Sequence, residues 1–209
     1  MTPHHDFQRH FADCPVVAII RGVRPEEAEA IGEALFEGGI RIIEVPLNSP
    51  EPLDSISRLA ARLGDRALIG AGTVLSVDQV TAVRSAGGRL IVSPNANGDV
   101  IRATADAGLV SCPGFFTPSE AFAAIEAGAS ALKFFPAEAG SPAVIRAQRT
   151  VLPRHIPILA VGGVTVDSVG SWLAAGADGA GVSSALYRPG QSAAETRDKA
   201  AALVAAARG

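Results

Sequence analysis

The sequence predicts a single-domain α/β protein of the (β/α)8 type, a TIM barrel, and three observations carry this prediction. Short β-rich runs alternate with longer helical segments about eight times along the 209 residues. The predicted strands are apolar almost throughout, which is typical of parallel strands covered by helices. Several helical segments end in EGG, SAGG, DAG, EAG or AAG, where a glycine can take the left-handed conformation that ends a helix.

The eight units follow one another without a break. In the first four, the strands PVVAII, RIIEVP, ALIGAG and RLIVSP precede the helices EEAEAIGEALFEG, EPLDSISRLAARLG, SVDQVTAVRSAG and GDVIRATADAG. In the last four, LVSCPG, ALKFFP, PILAVG and DGAGVSS precede PSEAFAAIEAG, SPAVIRAQRTVL, TVDSVGSWLAAG and the terminal helix. A doubly wound open sheet contains the same kinds of element, but eight regular units favour a closed barrel. Residues 1–14 are expected to form a leader or helix within the single domain 1–209.

The composition excludes several classes of partner. A net charge of -3 leaves no broad basic surface, so we expect neither nucleic acid nor an anionic membrane as a partner. No apolar run reaches the roughly 20 residues that cross a bilayer, and the start MTPHHDFQRH is polar, so the sequence predicts a cytoplasmic protein. Cys14 and Cys112 lie far apart and outside any CxxC spacing, which predicts two reduced core thiols.

Lysine is rare in this chain, which makes each lysine informative. Of 18 basic residues only Lys133 and Lys199 are lysines, and Lys199 lies in an Ala-rich helical stretch where a solvated lysine is expected. Lys133 stands in an apolar strand, and the alternation of strand side chains directs it into the barrel, away from the side that Leu132 and Phe134 share. Burial lowers the pKa of an amine and makes it available as a nucleophile near pH 7.

A carboxylate is expected beside Lys133. In RIIEVP, Ile43 and Val45 share one side of the strand, so Glu44 faces the barrel interior. A carboxyl group there can carry protons to and from a reacting substrate as general acid and base. The alternative is an ion pair between Glu44 and Lys133 that stabilises the fold, and such a pair does not exclude catalysis.

Further polar or flexible residues follow the other strands, at the face where function concentrates in this fold. They are Arg21, Thr73, Pro94, Asn95, Cys112, Pro113, Gly162, Gly163, Ser183 and Ser184. The glycines and serines follow the last two strands, where barrels commonly bind phosphate through backbone N–H groups and hydroxyls. A phosphorylated substrate follows as a hypothesis.

Histidine is scarce at this face, which bears on metal chemistry. His4, His5 and His10 belong to the leader, and His155 precedes a strand at the opposite face. No spacing typical of a metal site is visible, so the sequence disfavours a zinc-dependent aldolase and a histidine-based hydrolase. We therefore expect neither a metal nor a cofactor.

Several motifs between Val16 and Gln191 resemble those of a known family. They are IRG at 20–22, EVPLNSP at 44–50, GAGTVL at 70–75, CPG at 112–114, LKFFP at 132–136 and VGGV at 161–164. Together they resemble the pyruvate-dependent class I aldolases that cleave 2-keto-3-deoxy-6-phosphogluconate and its galactonate epimer. The EVPLNS segment is similar to the galactonate branch, whereas the gluconate branch has an arginine where this chain has Asn48.

The resemblance implies a role for each candidate residue. Lys133 would form a Schiff base with the substrate, and Glu44 would act as general acid and base, often through a water. The other assignments are Arg21 and Thr73 for the substrate carboxylate, Gly162, Gly163, Ser183 and Ser184 for phosphate, and Asn48, Pro94, Pro113 and Phe135 for the specificity pocket. Ser183 stands where a glycine is expected in the galactonate branch, so its hydroxyl either binds phosphate or crowds it.

The resemblance also implies a reaction and an assembly. The expected substrate is a phosphorylated 2-keto-3-deoxy sugar acid, 2-dehydro-3-deoxy-6-phosphogalactonate, reversibly cleaved to pyruvate and D-glyceraldehyde 3-phosphate by a cofactor-free homotrimer. One alternative is a gluconate-specific or dual-specificity aldolase with the same chemistry. The others are a phosphosugar isomerase or epimerase, which would form no imine, and a binding barrel that has lost the chemistry.

Overall fold

Strands and helices alternate along the chain, and the computed structural model describes residues 3–209, with side chains from residue 7 onward. The strands are β1 (Val16–Ile19), β2 (Ile42–Pro46), β3 (Leu68–Gly72), β4 (Leu90–Val92), β5 (Val110–Cys112), β6 (Gly114–Phe115), β7 (Leu132–Phe134), β8 (Ile158–Val161) and β9 (Gly179–Val182). The helices are α1 (Pro3–Asp13), α2 (Pro25–Glu37), α3 (Pro52–Leu63), α4 (Val77–Ser85), α5 (Gly98–Asp106), α6 (Pro118–Glu126), α7 (Pro142–Gln148), α8 (Val166–Ala174) and α9 (Ala193–Arg208), and Ala137–Ala139 form a 3-10 helix.

The predicted leader is helical from residue 3 onward. Its first two residues, Met1 and Thr2, and the side chains of His4 and His5 lie outside the described part of the chain. At the ends of five barrel helices the predicted glycines have positive φ angles, from +70° to +105°. They are Gly39, Gly87, Gly108, Gly128 and Gly176. The prediction for the helix ends is therefore confirmed.

The sheet closes into a barrel. Its segments are all parallel and follow the order β5-β4-β3-β2-β1-β9-β8-β7-β6. The two ends of this order, β5 and β6, are separated along the chain by Pro113 alone, so nine segments make eight barrel strands. Proline has no N–H to donate to a ladder, but the Pro113 carbonyl still accepts from the Lys133 N–H at 2.9 Å. The predicted (β/α)8 barrel is confirmed.

Alternate strand residues divide the interior into two layers. Ile43, Val45, Leu132 and Phe134 belong to the larger core between the strands and the surrounding helices. A smaller core fills the barrel itself. Its strand residues are Val17, Ile19, Ile42, Leu68, Leu90, Val92, Val110, Cys112, Leu159 and Val161. Both cysteines are buried and free, as the sequence predicts.

Helix α1 covers the amino-terminal end of the barrel. Phe7 on this helix is fully buried within the smaller core, and its ring stacks on Phe11 at 5.0 Å between centroids. Phe7 also lines a small cavity inside the barrel together with Glu44 and Lys133. The ring of Phe7 thus occupies part of the barrel interior at this end.

A buried arginine joins two strands at the amino-terminal end of the barrel. Arg149, 6% exposed, follows α7 and donates to the carbonyls of Gly176 at 2.9 Å and Ile156 at 3.0 Å. Its guanidinium also pairs with Asp178, whose carboxylate accepts from the N–H of Ile158 at 2.7 Å. Because these contacts precede β8 and β9, the network holds the starts of both strands in register.

We expect Arg149→Ala to lower the free energy of unfolding by about 2–4 kcal/mol, since it removes several charged hydrogen bonds and leaves buried carbonyls without a donor. Urea unfolding followed by circular dichroism measures the change. The matched control is Arg197→Ala, which removes an exposed arginine paired with Asp198 and should cost no more than about 0.5 kcal/mol. Equal losses in the two variants would show that the Arg149 network contributes no special stability.

Candidate active site

A cavity of about 200 Å³ opens at the carboxyl ends of the strands. Its lining consists of Ile19, Arg21, Glu44, Thr73, Pro94, Lys133, Phe135, Val161, Gly162, Gly163, Val164, Thr165, Gly181, Ser183, Ser184 and Ala185. The lining thus includes the candidate residues from the sequence except Asn48, Asn95, Cys112 and Pro113. In a barrel this is the face at which loops from all strands converge. Residues separated by up to 166 positions in sequence, from Ile19 to Ala185, therefore share one cavity.

Lys133 lies at the floor of this cavity. It is 7% exposed, and its Nζ stands 4.6 Å from the centroid of the Phe135 ring. Lys133 also lines a second cavity inside the barrel, with a volume of about 10 Å³, which is enough for one water molecule. Most of the side chains that line this second cavity are apolar, among them Phe7. Burial lowers the pKa of the Lys133 amine below its ordinary value, while the nearby Glu44 opposes this shift. The neutral amine, which is the nucleophile, is thereby favoured.

Glu44 extends from β2 into the same space. It is 2% exposed, and its Oε2 has no hydrogen-bond partner. Burial raises the pKa of Glu44 to about 7, against the opposing charges of Lys133 and Arg21. In the part of the chain that the structure describes, no ion pair within 4.0 Å joins Glu44 to Lys133. The geometry therefore favours a proton carrier over the purely structural ion pair.

Gly72 leaves space for the Glu44 carboxylate. The strand pattern alone does not predict this function of Gly72. Gly72 ends β3, and a Cβ at this position would collide with both carboxylate oxygens of Glu44. Any larger residue at this position would therefore displace the Glu44 carboxylate from its buried position. The GAGTVL motif contained this residue, but nothing in a strand pattern shows which side chain a neighbouring strand will bring.

Thr73 follows Gly72 with a φ of +58°, in the left-handed region. A β-branched residue rarely adopts this conformation, and such a backbone typically costs on the order of 1–3 kcal/mol. The strained residue lines the cavity. Strain that persists at a cavity wall is typical of a side chain held in place for binding.

Two neighbouring loops are tied together at the rim. Arg21 lies in the loop that follows β1, and Asn48 lies in the loop that follows β2. The Nη1 group of Arg21 donates a hydrogen bond to Oδ1 of Asn48. The N–H of Gly22 donates to Oγ of Ser49 at 2.9 Å. Asn48 therefore lies outside the cavity lining but contacts the arginine that belongs to it. Pro113 also lies outside the lining, but its carbonyl accepts from the Lys133 N–H and so supports the backbone of Lys133.

The opposite end of the cavity is formed by backbone and hydroxyl groups. Gly162 and Gly163 have φ angles of +111° and +66°, and a Cβ on Gly163 would lie 2.8 Å from Oε2 of Glu138. Ser183 and Ser184 follow the neighbouring strand β9 and line the same cavity. Since Thr165 both lines the cavity and caps α8, the positive end of this helix dipole borders the same region. The combination is well suited to an anion.

Among the described residues, no group of three or more His, Cys, Asp or Glu side chains is placed to hold a metal ion. None of the helices described in residues 3–209 combines the length and apolar character needed to span a bilayer.

Known proteins with similar sequences show which family this chain belongs to. The family of KDPG and KHG aldolases matches residues 8–202. The chain belongs to this family. It is similar to the 2-dehydro-3-deoxy-6-phosphogalactonate aldolase of Escherichia coli (strain K12), with 48% identity over 93% of this chain and 95% of the relative. Membership establishes aldolase chemistry, which is that of a lyase.

Solved structures agree with this assignment. A structure described as native KDPGal superimposes with a TM-score of 0.91, at 48% identity over 93% of this chain and 94% of that one. The KDPG aldolase of Legionella pneumophila, described with pyruvate captured at low pH as a covalent carbinolamine intermediate, superimposes with a TM-score of 0.82. It is 27% identical over 99% of this chain and 97% of that one.

Proposed function

We propose that this chain is a class I aldolase that reversibly cleaves 2-dehydro-3-deoxy-6-phosphogalactonate to pyruvate and D-glyceraldehyde 3-phosphate. One observation carries the proposal: a buried lysine and an unpartnered carboxyl share a cavity that has an arginine on its rim and an anion-binding backbone at its other end. The name of the E. coli relative supports the galactonate substrate.

The first half of the reaction uses Lys133. Arg21 and the Thr73 hydroxyl hold the substrate carboxylate, which places C2 at the Lys133 amine. The neutral amine adds to the C2 carbonyl to form a carbinolamine, whose hydroxyl takes up one proton and leaves as water, so that a protonated imine remains. The carbinolamine that the Legionella relative forms with pyruvate supports this step.

The second half uses Glu44. Its carboxylate accepts the proton of the C4 hydroxyl while the C3–C4 electron pair moves into the protonated imine and yields an enamine. D-Glyceraldehyde 3-phosphate leaves, and Glu44 returns the proton to C3. Addition of water then releases pyruvate and restores the amine. A carboxyl whose pKa is about 7 can perform both transfers near neutral pH.

The phosphate of the substrate would bind at the glycine and serine end of the cavity. Gly162 and Gly163 offer backbone N–H groups, and Ser183 and Ser184 offer hydroxyls, beside the positive end of the α8 dipole. Pro94 and Phe135 line the wall between the two ends. The phosphate would thus fix the position of C4 relative to Glu44.

We also propose that the chain works as one catalytic domain in a cytoplasmic homotrimer, without a cofactor. A related chain that is 48% identical belongs to a protein cage designed from symmetric oligomeric domains, which supports an oligomer. A charged, phosphorylated substrate supports a cytoplasmic location because it does not cross membranes freely. The lysine imine itself accepts the electron pair that a cofactor would otherwise accept.

The epimer preference tests the proposed substrate. We expect kcat/KM for the galactonate compound to exceed that for the gluconate epimer by about tenfold or more, because Asn48 replaces the arginine of the gluconate branch. Pyruvate release from each purified epimer, measured with lactate dehydrogenase and NADH, gives both values. A reversed ratio would favour the gluconate aldolase, and the absence of pyruvate would favour an isomerase or epimerase.

A further inference from the structure

Positive charge is distributed unevenly in the cavity. Its two cationic lining residues, Arg21 and Lys133, both interact with the carboxylate of Glu44. At the other end, the lining side chains described by the structure are uncharged. A phosphate monoester carries nearly two negative charges at pH 7, and hydrogen bonds from neutral groups are weaker than those from a cation. A cationic side chain that is not itself a lining residue would therefore strengthen the binding of the phosphate.

Arg188 follows the turn after β9 and contacts Ser184, a residue of the cavity lining. The N–H groups of Leu186 and Tyr187 donate to the Ser183 carbonyl at 2.8 and 2.9 Å, so the chain makes one helical turn. The Nε of Arg188 folds back and donates to the carbonyl of Ser184 at 3.1 Å, and Ser184 lines the cavity.

The guanidinium of Arg188 keeps its terminal nitrogens available. Arg188 is exposed, its one side-chain hydrogen bond uses Nε, and no carboxylate of the described residues pairs with it within 4.0 Å. Two Nη groups on one edge of a guanidinium match two oxygens of a phosphate.

The backbone that carries Arg188 is fixed by its neighbours. Its carbonyl accepts from the N–H of Gln191 at 3.0 Å, and the Gln191 side chain donates to the carbonyl of Leu186 at 2.8 Å. Pro189 packs against Gly22, where a Cβ would lie 2.7 Å from the Pro189 Cγ. Because the backbone is held, only the end of the side chain has to be ordered when an anion binds.

We propose that Arg188 is a phosphate-binding residue that pairs with the phosphate of the substrate at the mouth of the cavity. The proposal rests on the proposed function, in which the substrate is phosphorylated. The Gly162 and Gly163 backbone would still position the phosphate without Arg188, so the Arg188 contact adds affinity equally in the ground state and the transition state. Its loss therefore raises KM and leaves kcat nearly unchanged.

The test compares Arg188→Ala and Arg188→Lys with the wild type. We expect Arg188→Ala to raise KM for the phosphorylated substrate about tenfold, with kcat within about twofold. Lysine keeps the charge without the planar donor edge, so it should restore part of the affinity. The wild-type KM should also rise with ionic strength more steeply than that of Arg188→Ala. Arg197→Ala on α9 is the matched control and should match the wild type.

The same compound without its phosphate separates the two proposals. Its kcat/KM should be equal in Arg188→Ala and the wild type, which also shows that the variant is folded. If the wild type prefers the phosphorylated substrate and Arg188→Ala keeps that whole preference, the role of Arg188 is overturned while the proposed function stands. If the wild type shows no preference for the phosphorylated compound, both are overturned.

Discussion

Replacing Lys133 with methionine is expected to abolish aldol cleavage and the capture of pyruvate by borohydride. Methionine keeps the length and apolar stem of the side chain but has no amine, so neither the carbinolamine nor the imine can form. In the wild type, borohydride reduction in the presence of pyruvate should attach one pyruvate unit to Lys133. Intact-protein and peptide mass spectrometry identify the modified residue.

Lys199 supplies the control for this experiment. It is the other lysine of the chain, and its Nζ pairs with Glu195 at 2.8 Å on α9, away from the cavity lining. Lys199→Met should cleave the substrate and capture pyruvate like the wild type. An active wild type in which Lys133 stays unmodified would overturn the imine mechanism.

Lys133→Met should also change stability in a direction set by the lysine pKa. In the folded protein burial lowers this pKa below its ordinary value of 10.5, so the contribution of the lysine to stability is complete above pH 10.5 and is lost as the pH falls through the folded pKa. We therefore expect methionine to raise Tm near pH 7 and to give a smaller gain near pH 10. The catalytic amine thus reduces the stability of the fold that holds it.

The sequence predicts the parts of the site that depend on local periodicity. A period of two directs Glu44 and Lys133 to the inner side of their strands, and the structure shows Ile43 and Phe134 on the outer side. Glycines and serines after the last two strands likewise indicate where backbone donors collect. These features need only the order of residues within a strand and the closure of the barrel.

Contacts between strands and loops could not be predicted in this way. The interruption of one barrel strand at Pro113 depends on the hydrogen-bond register of its neighbours. The need for glycine at position 72 arises from a carboxylate on the adjacent strand. The bond between Arg21 and Asn48 joins loops 27 residues apart. Each requires the relative position of two segments, about which a single run of sequence carries no information.

Features that oppose stability concentrate in the cavity. Thr73 has a strained backbone, Oε2 of Glu44 lacks a partner, and Lys133 is buried away from solvent. Arg149, at the opposite end of the barrel, instead donates to several carbonyls. Stable proteins rarely retain local conflicts without a functional reason. The division between a stabilised end and a strained end therefore supports the carboxyl ends of the strands as the site of chemistry.

Replacing Glu44 with glutamine is expected to lower kcat by about 100-fold to 10,000-fold, the usual contribution of a general acid or base. Capture of pyruvate by borohydride should persist, because the Lys133 amine is still present. Removal of the carboxylate also removes the charge that opposes the lowered pKa of Lys133. Glu126→Gln, an exposed change at the end of α6, is the control and should leave turnover intact. Unchanged turnover in Glu44→Gln would remove Glu44 from the mechanism.

The pH dependence of the two proteins provides an independent measurement. In the wild type, kcat/KM for cleavage, which reports the free enzyme, should fall as the pH decreases below about 7, where Glu44 becomes protonated and cannot accept the C4 hydroxyl proton. Glutamine should eliminate this inflection. The stability effect has a definite sign: the folded pKa is above the ordinary value of 4.5, so stability is complete below pH 4.5 and is lost as the pH rises through about 7. Glu44→Gln should therefore match the wild type in Tm near pH 4.5 and exceed it above pH 7, where the ionised carboxylate is needed for cleavage.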